Sequence, residues 1–349
     1  MIIIQSQPEQ AETVRTRKLI EVRNLRVHFR GATSVGLVDY GTRMIRAVDG
    51  VSLDILQGEI LSLVGESGSG KTTLGRTIIG LEKPTSGKIL INEQEQKFDR
   101  KSLRKLWKTT QMIFQDPYST FNPLSTVKDT LAIPLRKFGI AKSDSEVAEK
   151  IEQVLERSGL SMSEVGDKYP TQLSGGQRQR LAIARALIVD PQVIVADEPV
   201  SMLDVSLRAG ILDLLVDLNR NFGLTILFIT HDLAVAQYIS SRIAVMYKGE
   251  IVELGASDEV MNHPKHPYTE LLLKSAPRLK GEQSWTGDQS TAVRPSRSVL
   301  KGCSYFDRCP LAIDKCQKAK PALDVTDRGH YVSCFVRGAD KVIAEPQET

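Results

Sequence analysis

Residues 58–72 read GEILSLVGESGSGKT. An apolar run, a glycine-rich turn, and a lysine followed by a hydroxyl decide the fold. The run reads as a buried strand. Gly65-Glu66-Ser67-Gly68-Ser69-Gly70-Lys71-Thr72 fits the phosphate-loop pattern G-x-x-x-x-G-K-[ST]. A helix is expected from about Lys71 to Gly80, with Thr73 counted among the nucleotide-binding residues. Glycines let such a loop wrap so that its N–H groups face phosphate oxygens, and the helix N-terminus adds a positive dipole end. Lys71 is then expected to reach the β- and γ-phosphates, and the Thr72 hydroxyl to hold Mg²⁺.

Outward from the loop, the chain alternates. KILIN (88–92) and QMIFQ (111–115) read as strands, QVIVADE (192–198) as a strand, 206–221 as a helix, LTILFIT (224–230) as a strand and 233–239 as a helix. RIAVMYKGEIVEL reads as a hairpin turned at Lys248-Gly249. Alternation of this kind predicts an α/β fold around a mainly parallel sheet, here a P-loop NTPase core. Between 116 and 172 the pattern changes. Pro117, Pro123 and Pro134 punctuate it, and 144–158 is an amphipathic helix, so an inserted helical subdomain is expected. Residues 1–16 are polar and expected to fray, and 277–300 read as a linker.

The 349 residues carry 46 Lys+Arg against 42 Asp+Glu, a net charge of +4. That is too weak a balance to indicate nucleic acid as a partner. No apolar run approaches the ~20 residues that span a bilayer. The opening MIIIQSQPEQ lacks the basic region of a signal peptide, so a cytoplasmic location is the expectation.

Two further motifs narrow the chemistry. Ser174 and Gln177 of Leu173-Ser174-Gly175-Gly176-Gln177 have capping-box spacing, which alone reads as a helix start. The same stretch also reads as a second anion site. Val193-Ile194-Val195-Ala196-Asp197-Glu198 is an apolar strand ending in two carboxylates. Asp197 would lie beside the metal, and Glu198 could polarise an attacking water.

Together LSGGQ, VIVADEP, FQDP and THD resemble the ATP-binding subunit of an ABC transporter over about 19–275. The resemblance implies an ATPase core at 17–115 and 173–255, with an antiparallel β subdomain and the helical subdomain at 116–172. It implies that Gln115 senses Mg²⁺ and contacts membrane subunits, that Asp204 of SMLD is the D-loop aspartate, and that His231 stands near the γ-phosphate. Phe29, or alternatively Tyr40, would stack on adenine. Met202 departs from the family's usual Ala. Two such subunits pack head to tail in the family, so Ser174, Gly175, Gly176 and Gln177 would contact the ATP held by the partner's loop. Glu198 and His231 would orient the water, with Lys71 and Mg²⁺ stabilising the developing charge.

His266-Pro267-Tyr268-Thr269 is expected to open a helix. Alone it reads as packing at a helix start. After this core it resembles the C-terminal extension of oligopeptide/dipeptide-type importer subunits, placed here at 256–349. The resemblance implies a paralogous ATPase subunit as heterodimer partner, two transmembrane permease subunits, an extracellular substrate-binding protein, and a peripheral place on the cytoplasmic face of the cell membrane. Peptides, or alternatively oligosaccharides, would be the cargo. A soluble ABC ATPase acting on ribosomes or DNA is the competing class. One cassette, no long heptad run and near-neutral charge argue against it.

All four cysteines lie between Cys303 and Cys334, spaced C-x₅-C-x₆-C-x₁₇-C. In a reducing compartment such crowding favours a metal over disulfides. Tight zinc knuckles are absent. Four thiolates could hold Zn²⁺ or a [4Fe–4S] cluster. The resemblance implies a [4Fe–4S] cluster on Cys303, Cys309, Cys316 and Cys334, with zinc second and free or disulfide cysteines third.

Overall fold

The computed structural model describes residues 17–31, 34–35, 38–39, 43–275, 301–326 and 329–338. They divide into two compact units: the described residues up to Leu25, with Ser52–Leu61 and Thr72–Ile229, form one, and those within Arg26–Val51, Ser62–Lys71 and from Thr230 onward the other.

In the first unit, the strand Val193–Asp197 lies between Thr110–Ile113 and Thr225–Thr230, parallel to both. Ile113 pairs with Ala196 and Ile229 with Asp197. Val193–Asp197 and Thr225–Thr230 are buried at every position. Their unbroken apolar runs are what a parallel sheet covered on both faces requires. Because the three strands are parallel, Asp197 and the chain leaving Ile113 emerge at one edge, where ligands bind in open α/β sheets. QMIFQ is strand only through Ile113, so Gln115 stands beyond it.

Four helices, Val127–Phe138, Asp144–Arg157, Met162–Val165 and Gly175–Leu187, share a separate core. Leu131, Leu135, Leu155, Val165 and Leu181 are all fully buried in it. The helix that begins at Ser174 is therefore anchored among the inserted helices. Pro134 does not break the chain as its reading as punctuation supposes. It lies inside Val127–Phe138, which runs from a Thr126/Asp129 capping box to a left-handed Gly139 (φ 68°). Loss of one N–H is offset by caps at both ends and the buried apolar face.

In the second unit, Arg242–Tyr247 and Glu250–Ala256 form the expected antiparallel hairpin. Its turn residues Lys248 and Gly249 both have positive φ, 44° and 86°, as a two-residue turn matched to strand twist requires. Tyr331–Val332 pairs with Glu250–Ala256, and Asp324–Val325 pairs with Tyr331–Val332 in turn. The C-terminal segment is thus stitched onto the hairpin. Tyr247, Tyr268 and Tyr305 are buried together with Val64, Val245 and Val252, and Cys303 and Cys309 pack against them. No helix of the described residues is long and apolar enough to cross a membrane.

Candidate functional site

The loop 65–71 belongs to the second unit. A Cβ at Gly65 would stand 2.2 Å from the Met246 carbonyl oxygen, and one at Gly70 (φ 105°) 1.9 Å from that of Ala47. Both positions exclude any side chain. Lys71 is almost completely buried and donates its Nζ to the carbonyls of Gly65 (2.8 Å) and Glu66 (2.9 Å). It is thereby folded back over the loop it follows. Gly68 has φ 78°, and Gly249 N–H donates to the Ser69 carbonyl at 2.8 Å. Ser69 Oγ is buried without a partner. A hydroxyl so placed fits a site shaped for a polar ligand. Ser67 is exposed at the tip.

In the first unit, Thr72 Oγ1 donates to Asp197 Oδ1 at 3.0 Å, and Asp197 is buried. Two oxygens of this kind fit a hard divalent cation such as Mg²⁺. Thr73 uses its carbonyl to accept from Thr77 Oγ1. Glu198 follows with φ 46°, a left-handed conformation that costs a non-glycine residue ~1 kcal/mol. It is held there by its N–H to the Ile229 carbonyl (2.9 Å) and by Ser201 Oγ donating to its carbonyl (2.9 Å). Its carboxylate accepts from Gln115 Nε2 at 3.0 Å. Two pairs expected from sequence to serve one reaction, Thr72 with Asp197 and Gln115 with Glu198, are therefore in contact.

The start of Gly175–Leu187 is built as the spacing predicts. Ser174 Oγ accepts from Gln177 N–H and Gln177 Oε1 accepts from Ser174 N–H. Gln177 Nε2 goes on to Glu164 at 2.8 Å. The glycines here differ from those of the phosphate loop. A Cβ at Gly175 would meet only Leu203 at 3.8 Å, and one at Gly176 only Leu207 at 3.5 Å. Both are ordinary contacts, so nothing in the chain's own packing demands glycine. Asp204, between those leucines in sequence, caps Val205–Phe222 with extended backbone and no side-chain cap bond.

Sequence reasoning passed over Arg178. It is buried, with Nε donating to Pro170 O (2.9 Å) and Nη2 to Leu173 O (2.8 Å), and its guanidinium lies 3.6 Å from the centre of the Tyr118 ring. It connects the LSGGQ loop to the segment just past Gln115. An arginine two residues after a glycine pair at a helix start was the available signal.

His231 is exposed in the second unit, directly before Asp232, which caps Leu233–Ile239 by accepting from Ala234 and Val235 N–H. Phe29 lies near the end of Lys18–Gly31 with 39% of its surface exposed. Tyr40 falls outside the described residues. Met202 is exposed.

Tyr268 of the HPYT stretch carries more than packing. Its hydroxyl accepts from Glu66 N–H at 2.9 Å, and its N–H donates to His266 Nδ1 at 3.1 Å. Arg308, from between the first two cysteines, donates from Nη1 and Nη2 to the Glu66 carboxylate, both at 3.1 Å. Glu253, fully buried, accepts from Lys265 N–H, His266 N–H and His330 Nε2.

The four cysteines are free thiols. Cys303 N–H donates to the Cys316 carbonyl at 2.8 Å. Burial pushes the Cys303 thiol up to about 11 and raises Cys309, and neighbouring cysteines add to both shifts. Among the described residues, however, no group of three or more His, Cys, Asp or Glu could hold a metal ion. A single zinc ion does not fit this arrangement. The described residues thus do not by themselves assemble an iron–sulfur site either, although cysteine thiolates are the ligands such clusters take.

Comparison with known proteins follows the same lines. The family model for ABC transporters matches residues 48–201, and that for the C-terminal region of oligopeptide/dipeptide transporters matches 252–316. The chain is 40% identical to the oligopeptide transport ATP-binding protein OppF of Escherichia coli, over 93% of this chain and 98% of that protein. It is 41% identical to the oligopeptide transport ATP-binding protein AppF of Bacillus subtilis, over 91% and 97%. With the dipeptide transport ATP-binding protein DppF of Haemophilus influenzae the identity is 40%, over 84% and 90%. Among solved structures, a dimeric ATP-binding cassette in a post-hydrolysis state bound to ADP and Pi aligns with TM-score 0.60 and 32% identity, over 68% of this chain and 98% of that one.

Proposed function

Because the chain belongs to the ATP-binding subunits of oligopeptide and dipeptide ABC transporters, we propose that it hydrolyses ATP to drive import of peptides or similar small oligomers. The observation that carries the reading is the contact of Thr72 with Asp197 at 3.0 Å. It joins the residue directly after the phosphate-loop lysine to the carboxylate at a strand end, the pair such chemistry requires. Mg²⁺, when bound by Thr72, Asp197 and Gln115, would neutralise charge on the β- and γ-phosphates.

Lys71 would leave the loop carbonyls and turn to the β- and γ-phosphates. Glu198 would orient a water in line with the γ-phosphate, steadied by Gln115 before ATP arrives, and His231 would stand near that phosphate. Phe29 would stack on the adenine. Ser174 and the glycines after it would contact ATP held by a second subunit. Among the described residues nothing crowds a Cβ at 175 or 176, which is compatible with glycines kept for the close approach of a partner. In such a dimer ATP favours the closed state and hydrolysis removes that preference.

The second subunit would be a related ATPase, and the pair would work beneath two membrane permease subunits. A groove of about 490 Å³ in the first unit supports the latter part. Leu81, Trp107, Met112, Phe114, Ile133 and Phe138 line it. Apolar lining so close to Gln115 suits a cytoplasmic loop of a permease, through which motion at the ATP site would pass. Cys303, Cys309, Cys316 and Cys334 would hold a [4Fe–4S] cluster as a structural clasp of the C-terminal segment.

Affinity purification of the tagged protein from membranes tests the reading. Co-purification of two hydrophobic subunits and a second ATPase is expected, with about four irons and four sulfides per chain. Recovery with ribosomes and without hydrophobic subunits would overturn the importer function. An iron-free protein of unchanged stability would overturn the cluster alone.

A further inference from the structure

Glu66, the second residue of the phosphate loop, is held at three points. Its carbonyl accepts from Lys71, its N–H donates to the Tyr268 hydroxyl, and its carboxylate is gripped by both terminal nitrogens of Arg308. The last two holds come from the C-terminal part of the chain, more than 200 residues away in sequence.

Both holds share one support. Tyr268 is fully buried against Tyr247, with ring centres 4.6 Å apart, and against Tyr305 at 5.5 Å. Tyr305 meets Tyr247 edge-on at 5.2 Å. The Arg308 guanidinium lies 5.9 Å from the Tyr247 ring centre and 5.8 Å from that of Tyr305. Tyr305 and Arg308 both lie in the stretch between Cys303 and Cys309. Whatever fixes the cysteine segment therefore fixes the two groups on Glu66.

The charge matters as much as the tether. A carboxylate in a loop that binds a polyanion repels it. A bidentate guanidinium neutralises that carboxylate and fixes its direction. We propose that Arg308 and Tyr268 are positioning residues for nucleotide binding, through which the cysteine-bearing segment sets the affinity of the phosphate loop. The inference rests on the reading of residues 65–72 as the nucleotide loop. Linkage makes it reciprocal: nucleotide in the loop must tighten the 303–309 segment by the same factor.

The test measures ATP affinity of the purified full chain by fluorescent-nucleotide titration, beside amide exchange of 303–309. Arg308→Gln is expected to raise the Kd by roughly five- to tenfold, at the low end of site-to-site coupling. Arg308→Lys, which keeps the charge and loses the fork, is expected to fall between. Adding Glu66→Gln to Arg308→Gln is expected to restore affinity to about twofold of wild type, since no carboxylate is left to neutralise. A merely structural Arg308 would not be rescued in this way. ATP is expected to slow exchange in 303–309 of the wild type and not of Arg308→Gln. Tyr268→Phe, which keeps the ring, is expected to weaken ATP binding with an unchanged melting temperature of the nucleotide-free protein. An unchanged Kd in Arg308→Gln, or no rescue by Glu66→Gln, overturns the proposal. Lys71→Ala separates the two levels. If it abolishes ATP binding while Arg308→Gln does nothing, the loop reading stands and the clasp fails; if Lys71→Ala binds as wild type, the loop reading itself fails.

Discussion

Gln115 Nε2 meets Glu198 Oε2 at 3.0 Å. The contact joins the chain that leaves one parallel strand to the residue directly after its neighbour. Glu198 is held in a left-handed conformation by its N–H to the Ile229 carbonyl and by Ser201, whose N–H and Oγ both donate to the Glu198 carbonyl. Strain of that kind persists only where surrounding structure over-determines it. The carboxylate is thus aimed before any ligand arrives, and Gln115 is one side chain steadying it.

If Glu198 orients the attacking water, Glu198→Gln should keep the geometry and remove the base. ATP binding is expected within about twofold of wild type. Turnover is expected to fall by roughly 10²–10⁴, the usual contribution of a positioned base. A slow variant should also accumulate an ATP-bound dimer, visible by light scattering. Unchanged turnover would reject the role.

Thr72→Val keeps the shape of the side chain and removes the hydroxyl that reaches Asp197. Nucleotide binding without Mg²⁺ is expected to be unaffected. The Mg²⁺ concentration giving half-maximal ATPase is expected to rise about tenfold, the weight of one good oxygen ligand. A Mg²⁺ titration of ATPase rate decides it. An identical midpoint would remove Thr72 from the metal site.

What could be read from sequence was what is local. The loop at 65–72 carries its chemistry in eight adjacent residues, and Ser174 and Gln177 state their cap by spacing alone. The parallel strands showed because burial on both faces leaves no polar position in Val193–Val195 or Ile226–Ile229. Pro134 misled because a helix interior normally excludes proline, and only burial of Leu131 and Leu135 against other helices reveals why this one continues. The Arg308–Glu66 pair spans 242 positions. No local pattern announces such a pairing, and the same holds for Glu253 with His330. HPYT read as a packing feature because the hydroxyl of Tyr268 finds its partner across a distant turn.

Arg178 gives a stability test of the joint between LSGGQ and the segment after Gln115. Arg178→Met preserves length but leaves the carbonyls of Pro170 and Leu173 without their donors. A loss of about 2–4 kcal/mol is expected in urea unfolding, the range for removing a buried charged donor. Arg178→Lys should recover less than half, because one ammonium cannot reproduce the fork that also lies over Tyr118. Loss below about 0.5 kcal/mol in Arg178→Met would mean that the bonds are not holding the loop.

His266 sets an acid limit on the C-terminal unit. Burial lowers its pKa from the ordinary 6.5 to about 4, with Arg337 adding to the shift and Glu253 and Glu270 opposing it. Its Nδ1 already accepts from Tyr268 N–H, a bond that protonation destroys. The sign follows from linkage: below pH 6.5 the unfolded chain takes up the proton and the folded one does not. Stability is therefore full above about pH 6.5 and declines as pH falls toward about 4, by roughly 3 kcal/mol at 1.4 kcal/mol per pH unit. Burial also raises the pKa of Glu250, which makes stability depend on pH in the opposite sense, so the wild-type curve alone does not isolate the imidazole. His266→Asn offers an amide oxygen to Tyr268 N–H and has nothing to protonate. The difference between the two proteins isolates the imidazole. Urea midpoints at pH 7 and pH 4.5 are expected to converge for the variant and to separate for the wild type. Parallel curves would place the acid sensitivity elsewhere, in the carboxylates that the two proteins share.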